Sequence, residues 1–260
     1  MWNRIALKED SKSLLRLNYW PFVLVAFIHM IVSGSGANGI AGRSSRSGVS
    51  SGHELFRDSY YGYDEYRVVN ELVRFVLPFL GLALVTALGM WVVMIVVSIF
   101  VLNPLEVGCK RYMTMAREVK PQFQEMGFAF KNCYGNIVKT MFFKNLYIFL
   151  WSLLFVIPGF VKSYEYRMIP YLLAEYPDMA PDEAFRISRE MMTGNKWETF
   201  VLDLSFFGWN ILSAITLGLT GIFYSEPYQM LTNSALYLTL KKTHPSFGYV
   251  QPDDNYYFQK

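Results

Sequence analysis

The sequence predicts an all-α fold: a polytopic transmembrane helical bundle of about six membrane segments, one or two of them re-entrant, with short amphipathic cytoplasmic helices. Three observations carry this. The 260 residues are 53% hydrophobic and 17% aromatic, too apolar for an ordinary soluble chain. The apolar residues gather into long uncharged runs instead of recurring at the short periods of a soluble core. Those runs alternate with connectors that hold most of the Lys and Arg, so residues 1–260 read as a single integral membrane domain.

Residues 1–19 form a cytoplasmic amphipathic arm carrying Arg4, Lys8, Lys12 and Arg16, and the apolar stretch 20–32 follows. That order imitates a secretory leader, but the charged region is long, contains Glu9 and Asp10, and is followed by no A-x-A site. The stretch is therefore read as a first membrane helix. Residues 34–59 form a flexible Gly/Ser-rich external loop, because Gly, Ser, Ala, Asn and Arg cannot bury apolar surface. Within it, Gly48 to Gly52 matches G-x-S-x-G, but a nucleophile elbow needs a strand before it and a helix after it, which this tract does not offer.

A backbone can cross hydrocarbon only when its N–H and C=O groups bond internally, so about twenty apolar residues in a row signal a spanning helix. Residues 75–102 satisfy this best, with 28 residues free of Asp, Glu, Lys and Arg. Residues 204–225 give a second uncharged run of 22, and residues 145–161 give a third of 17 with a break at Pro158-Gly159. Residues 163–176 and 227–240 are shorter or charged, and either cross or only enter the membrane. Counting Lys and Arg places the N-terminal arm and the connector 103–144 in the cytoplasm, and six crossings put both termini there. Five crossings, with the acidic segment 162–199 outside, is the alternative.

Residues 181–193 read as an amphipathic helix. Pro181 opens the first turn, Asp182 and Glu183 suit the positive end of the dipole, and Gly194-Asn195 stops it. Ala184, Ile187, Ser188 and Met191 share its apolar face. Close helix approach is expected at the small pairs Ala83/Ala87 and Ala214/Gly218.

The second half carries a set of local motifs. Residues 147–154 are followed by Ile157-Pro158-Gly159, then by residues 164–168 and by Pro170-Tyr171-Leu172-Leu173-Ala174-Glu175. Glu183-Ala184, residues 188–196, residues 204–209 and Glu226-Pro227-Tyr228 complete the series, and the opening supplies Arg4, Leu7, Lys8 and Asn18-Tyr19-Trp20. This pattern resembles the bacterial integral membrane family catalogued as domain of unknown function 975. The resemblance implies a helical membrane fold in a bacterial cell membrane, and it supplies no activity, ligand or catalytic residue. More distantly, the pattern is similar to membrane domains attached to some glycerophosphodiester phosphodiesterases; those portions are not the catalytic part, so the activity does not carry over.

Ionisable residues at bilayer depth are costly, so Glu165, Arg167, Asp203 and Glu226 are the candidate polar membrane residues. Each also has a plainer reading, as an interfacial carboxylate, a turn residue or a snorkelling charge. His29 stands alone in the first span, while His53 and His244 are remote, so no metal-ligand spacing is visible. Cys109 and Cys133 read as free thiols. No catalytic motif, cofactor fingerprint or metal site appears. The net charge of +3 lacks the clustered basic stripe of a nucleic-acid binder. The expected function is a non-enzymatic scaffold, accessory or membrane-environment protein, whose partners are the lipid bilayer and another membrane protein or a second copy. A small-molecule, ion or lipid transporter is the alternative, and the expected location is a cell membrane with the N-terminus in the cytoplasm.

Overall fold

The computed structural model describes residues 2–33, 65–216 and 218–247, and the described residues contain helices and turns without strands. The Gly/Ser-rich loop at 34–59, its G-x-S-x-G match and His53 lie outside them. Helix α1 (Arg4–Leu17) begins where the Asn3 side chain accepts a hydrogen bond from the Ile5 N–H at 2.9 Å. It buries Leu7, Ser11 and Leu15, one side chain per turn. The chain then bends by 110° into α2 (Tyr19–Ser33), which buries Phe22, Val25 and Ala26.

Helix α3 (Glu65–Val97) continues through a π-helical turn (Ser98–Leu102) into α4 (Asn103–Met115). Residues Val73–Met115 thus form one continuous helical stretch of 43 residues. Its two halves live in different surroundings. Every residue from 73 to 97 is exposed, whereas Val107, Cys109 and Met113 of α4 are fully buried. The wide turn precedes Pro104, whose ring tolerates no ordinary helical bond at its own nitrogen, and the Asn103 N–H reaches back to the Ser98 carbonyl. Across α4 runs a 3₁₀ turn (Phe123–Gly127) set so close that a Cβ on Gly108 would overlap the Met126 carbonyl. A single turn, α5 (Phe128–Lys131), follows, and Cys133 at φ 47° leads into the next helix.

Helix α6 (Tyr134–Leu154) stops at Phe155, which is extended at φ −154° and ψ 141°, and α7 (Val156–Glu165) returns against it. A proline ring clashes with the carbonyl four residues earlier, and four before Pro158 is Leu154, the last residue of α6. The return is tight because Gly159 has no Cβ to strike Ser152. The tip of this hairpin exposes Leu153, Leu154, Phe155, Val156 and Ile157. Helix α8 (Ile169–Glu175) is buried from Ile169 to Ala174. Helix α9 (Pro181–Met192) matches the amphipathic expectation, burying Ala184, Ile187, Ser188 and Met191 together with Phe185 and Met192, and Gly194 at φ 81° ends the run.

The uncharged run 204–225 is not one span. Helix α10 (Lys196–Leu204) ends there, α11 (Phe207–Ile215) is nine residues long, and Gly218 at φ 89° reverses the chain into a second π turn (Gly221–Ser225). Ala214 and Gly218 therefore flank a reversal and form no continuous helical seam. Helix α12 (Glu226–Thr243) buries much of its length, and a 3₁₀ turn (Pro245–Phe247) follows.

Among the described residues two helical stretches, Val73–Met115 and Tyr134–Leu154, are long and apolar enough to cross a membrane, or three if the bent pair α1–α2 counts as one span. This is fewer than the six expected: the run 204–225 is broken at Gly218, the run 163–176 holds only the seven-residue α8, and α12 over 227–240 is less apolar and carries Glu226, Lys241 and Lys242 at its ends. The connector 103–144 is itself largely helical. Its first part is α4, the helix around which α2, α8 and α12 pack.

Candidate functional site

The interior holds a polar cluster drawn from four helices. Glu106 and Lys110 lie one turn apart on α4, and both point among neighbours that carry charge. Lys110 Nζ lies 3.0 Å from His29 Nε2 of α2, and Lys144 Nζ of α6 lies 3.8 Å from Glu106 Oε2. One residue along, Asn145 donates to the Asn103 side chain at 3.1 Å. Glu226, at the start of α12, lies within electrostatic reach of Lys110. Because an ammonium can only donate, His29 accepts through Nε2 and carries its proton on Nδ1. That Nδ1 is buried with no hydrogen-bond partner among the described residues. The cluster thus sets the buried Lys110 and Lys144 beside the half-buried Glu106, Glu226 and His29, where opposite charges offset one another's desolvation.

A second polar group flanks it. Arg167, in the turn after α7, donates from both terminal nitrogens to Asp203 of α10 at 2.5 and 2.8 Å, and to the Asn233 side chain at 2.9 Å. The Tyr164 hydroxyl donates to the same Asp203 carboxylate at 2.8 Å. Glu165 forms a separate knot, receiving Lys162 and Lys196 at 2.6 Å each, while its backbone carbonyl accepts the buried Ser188 hydroxyl at 2.7 Å. At the far end of α12, Glu175 accepts from Tyr237 at 2.8 Å and Lys241 at 2.5 Å.

Residues 49–244 match a family described as protein of unknown function (DUF975). The chain belongs to the DUF975 family. No curated protein matches it and no solved structure does.

In this DUF975 chain, the four residues singled out from sequence separate into three places. Arg167 and Asp203 meet, Glu165 stands in the neighbouring lysine knot, and Glu226 belongs to the interior cluster. Sequence reasoning missed Glu106, Lys110, Lys144 and Asn103, because the charges of 103–144 read as a cytoplasmic connector, and Asn145, because it opens the apolar run 145–161. The signal that could have found them is local. Glu106 and Lys110 are four residues apart and are interleaved with Val107, Cys109 and Met113, the pattern of a helix whose charged side chains share its buried surface. His29 is half-buried, and its partner Lys110 comes from 81 residues away. Among the described residues no group of three or more His, Cys, Asp or Glu could hold a metal ion.

Proposed function

We propose that this DUF975 protein is a non-enzymatic membrane scaffold or accessory subunit, seated in a cell membrane with its N-terminus in the cytoplasm. The observation that carries the reading is the exposure of every residue from 73 to 97. A helix that is apolar on all sides and touches little of its own chain is solvated by lipid or by a second protein. The half of the same stretch that includes α4 is buried, so one rod ties an apolar surface to the packed body. Ala83 and Ala87, one turn apart, give that surface a place where another helix can approach closely. The exposed apolar tip of the α6–α7 hairpin and the reversal at Gly218 suit segments that enter the membrane and turn back.

The test is extraction with alkaline carbonate, followed by purification in lipid nanodiscs and mass spectrometry of whatever accompanies the chain. Retention in the membrane pellet and a stoichiometric protein partner lost in Ala83→Leu/Ala87→Leu are the expected results. A retained small molecule without any protein partner would overturn this reading in favour of a transporter. That second reading is supported by the buried Lys110 and Lys144 and the half-buried Glu106 beside the Ser98–Leu102 turn, since irregular helices and interior ionisable groups accompany solute pathways.

A further inference from the structure

We infer that the elbow between α1 and α2 is a binding site for one anionic phospholipid of the surrounding bilayer, its phosphate held by Lys12 and Arg16 and an acyl chain lying in the groove beside α2. The inference rests on the membrane reading above. It begins with α1, where Arg4, Lys8, Lys12 and Arg16 recur at every fourth residue and so form one ridge along the helix. The buried stripe Leu7, Ser11 and Leu15 lies alongside, which fixes the ridge at the edge of the body. Of the two acids on α1, Asp10 is engaged by Arg117, so the excess positive charge of the arm is left facing outward. The 110° bend lays α1 across the axis of α2. If α2 enters the bilayer, α1 then runs in the plane of the headgroups, the geometry of an interfacial helix.

A groove of about 680 Å³ opens immediately beyond the bend. Trp20, Leu24 and Phe27 form one wall, and Leu219, Ile222 and Phe223 of the second hairpin form the other. Everything lining it is apolar, which suits a hydrocarbon chain and offers nothing to a polar solute. The cations and the groove share one support. The Tyr19 hydroxyl donates to the Phe223 carbonyl at 2.7 Å, and five residues further on the Tyr228 ring lies 5.8 Å from Lys12 Nζ. Polarity therefore falls in sequence from Lys12 and Arg16, past the Tyr19 hydroxyl and the exposed Trp20 indole, to Leu24 and Phe27. That is the profile of a phospholipid from phosphate to tail.

The site is tested on the full-length chain with phosphatidylglycerol and phosphatidylcholine of identical acyl chains. The purified protein is first stripped in detergent, then offered both lipids in equal amounts and examined by native mass spectrometry. Retention of one phosphatidylglycerol per chain, with a preference on the order of tenfold over phosphatidylcholine, is expected from two cations near a phosphate. Lys12→Gln/Arg16→Gln should bring the two lipids to parity, and Leu24→Trp, which fills the groove, should lower retention of both. Equal retention by the unaltered protein, or a preference unchanged in the charge variant, would overturn the site. The wild-type competition alone decides the matter if a variant does not fold. Release of the chain from membranes by alkaline carbonate would instead sink the membrane reading, and the two failures are read in separate measurements.

Discussion

Arg167 grips Asp203 with both terminal nitrogens, at 2.5 and 2.8 Å, and so locks the turn after α7 to α10. Planar, two-point contacts of this kind hold geometry as well as charge. Arg167→Ala should cost on the order of 2 kcal/mol, because Asp203 and Asn233 both lose a hydrogen-bonding partner. Asp203→Asn should cost about half as much, since the carboxylate is the more exposed member and water screens it. Thermal unfolding in a mild detergent measures both. A double variant no worse than Arg167→Ala alone would establish that the two act as one unit.

Gly159 predicts the fate of the α6–α7 hairpin. Its Cβ would meet the Ser152 backbone as well as the hydroxyl, so the side chain cannot simply swing away. Gly159→Ala should destabilise by about 1–3 kcal/mol. Gly135, in the first turn of α6, has open space where its Cβ would stand, and Gly135→Ala should raise stability by up to about 1 kcal/mol. Opposite shifts in melting temperature for two identical chemical changes are the expected readout.

Within the interior cluster, Lys144→Met strands the Glu106 carboxylate and Glu106→Gln strands the ammonium. Each should destabilise by roughly 1–3 kcal/mol, and the double variant by less than the sum, because no unpaired charge remains. Denaturant titration of the three variants checks this. Simple additivity would show that the two side chains do not interact at their 3.8 Å separation.

The α8–α12 contact should fail at high pH. Burial lowers the Lys241 ammonium, but the hydrogen bond and charge of Glu175 outweigh it and hold its pKa above the ordinary 10.5. Burial, and then the same carboxylate, push the Tyr237 hydroxyl up from 10.0. Both folded values are raised, so both contributions are complete below about pH 10 and are lost as pH climbs through the folded values. Stability measured between pH 8 and 11 should stay level and then fall, and Glu175→Gln should flatten the fall.

A charge at the hairpin tip tests its surroundings. Ile157→Asp adds a carboxylate to a side chain that is 78% exposed, so the packed body should be indifferent to it. In a bilayer the same change costs on the order of 2.5–3.5 kcal/mol. Unchanged unfolding in detergent with weakened stability in nanodiscs is the expected pair of outcomes; no difference between the two media would place the tip in water.

Local signals were legible wherever one short rule governed them. The α9 helix could be read almost residue by residue, because Pro181, Asp182, Glu183 and Gly194 each act on the backbone beside them. The long helix over 75–102 was equally plain. The reversal at Gly218 was not, since an uncharged count weighs a glycine in a turn like any other residue in a span. The sequence marks a break at Pro158-Gly159, whereas the chain breaks at Phe155, because the clash of a proline ring falls four residues upstream. In the candidate site, Arg167 and Asp203 were chosen for their charge and do meet. The cluster around His29 could not be read, because its members are 81 and 38 residues apart along the chain and nothing local announces that α2, α4 and α6 converge.

The two cysteines make the protein its own folding gauge. Cys133 is exposed at the entry to α6, whereas Cys109 is fully buried on α4. A thiol reagent should therefore modify the native chain once and quickly, and reach the second sulfur only when α4 leaves its neighbours. The rate of that second event, followed by intact mass in membranes or nanodiscs, times the opening of the bundle without any engineered label.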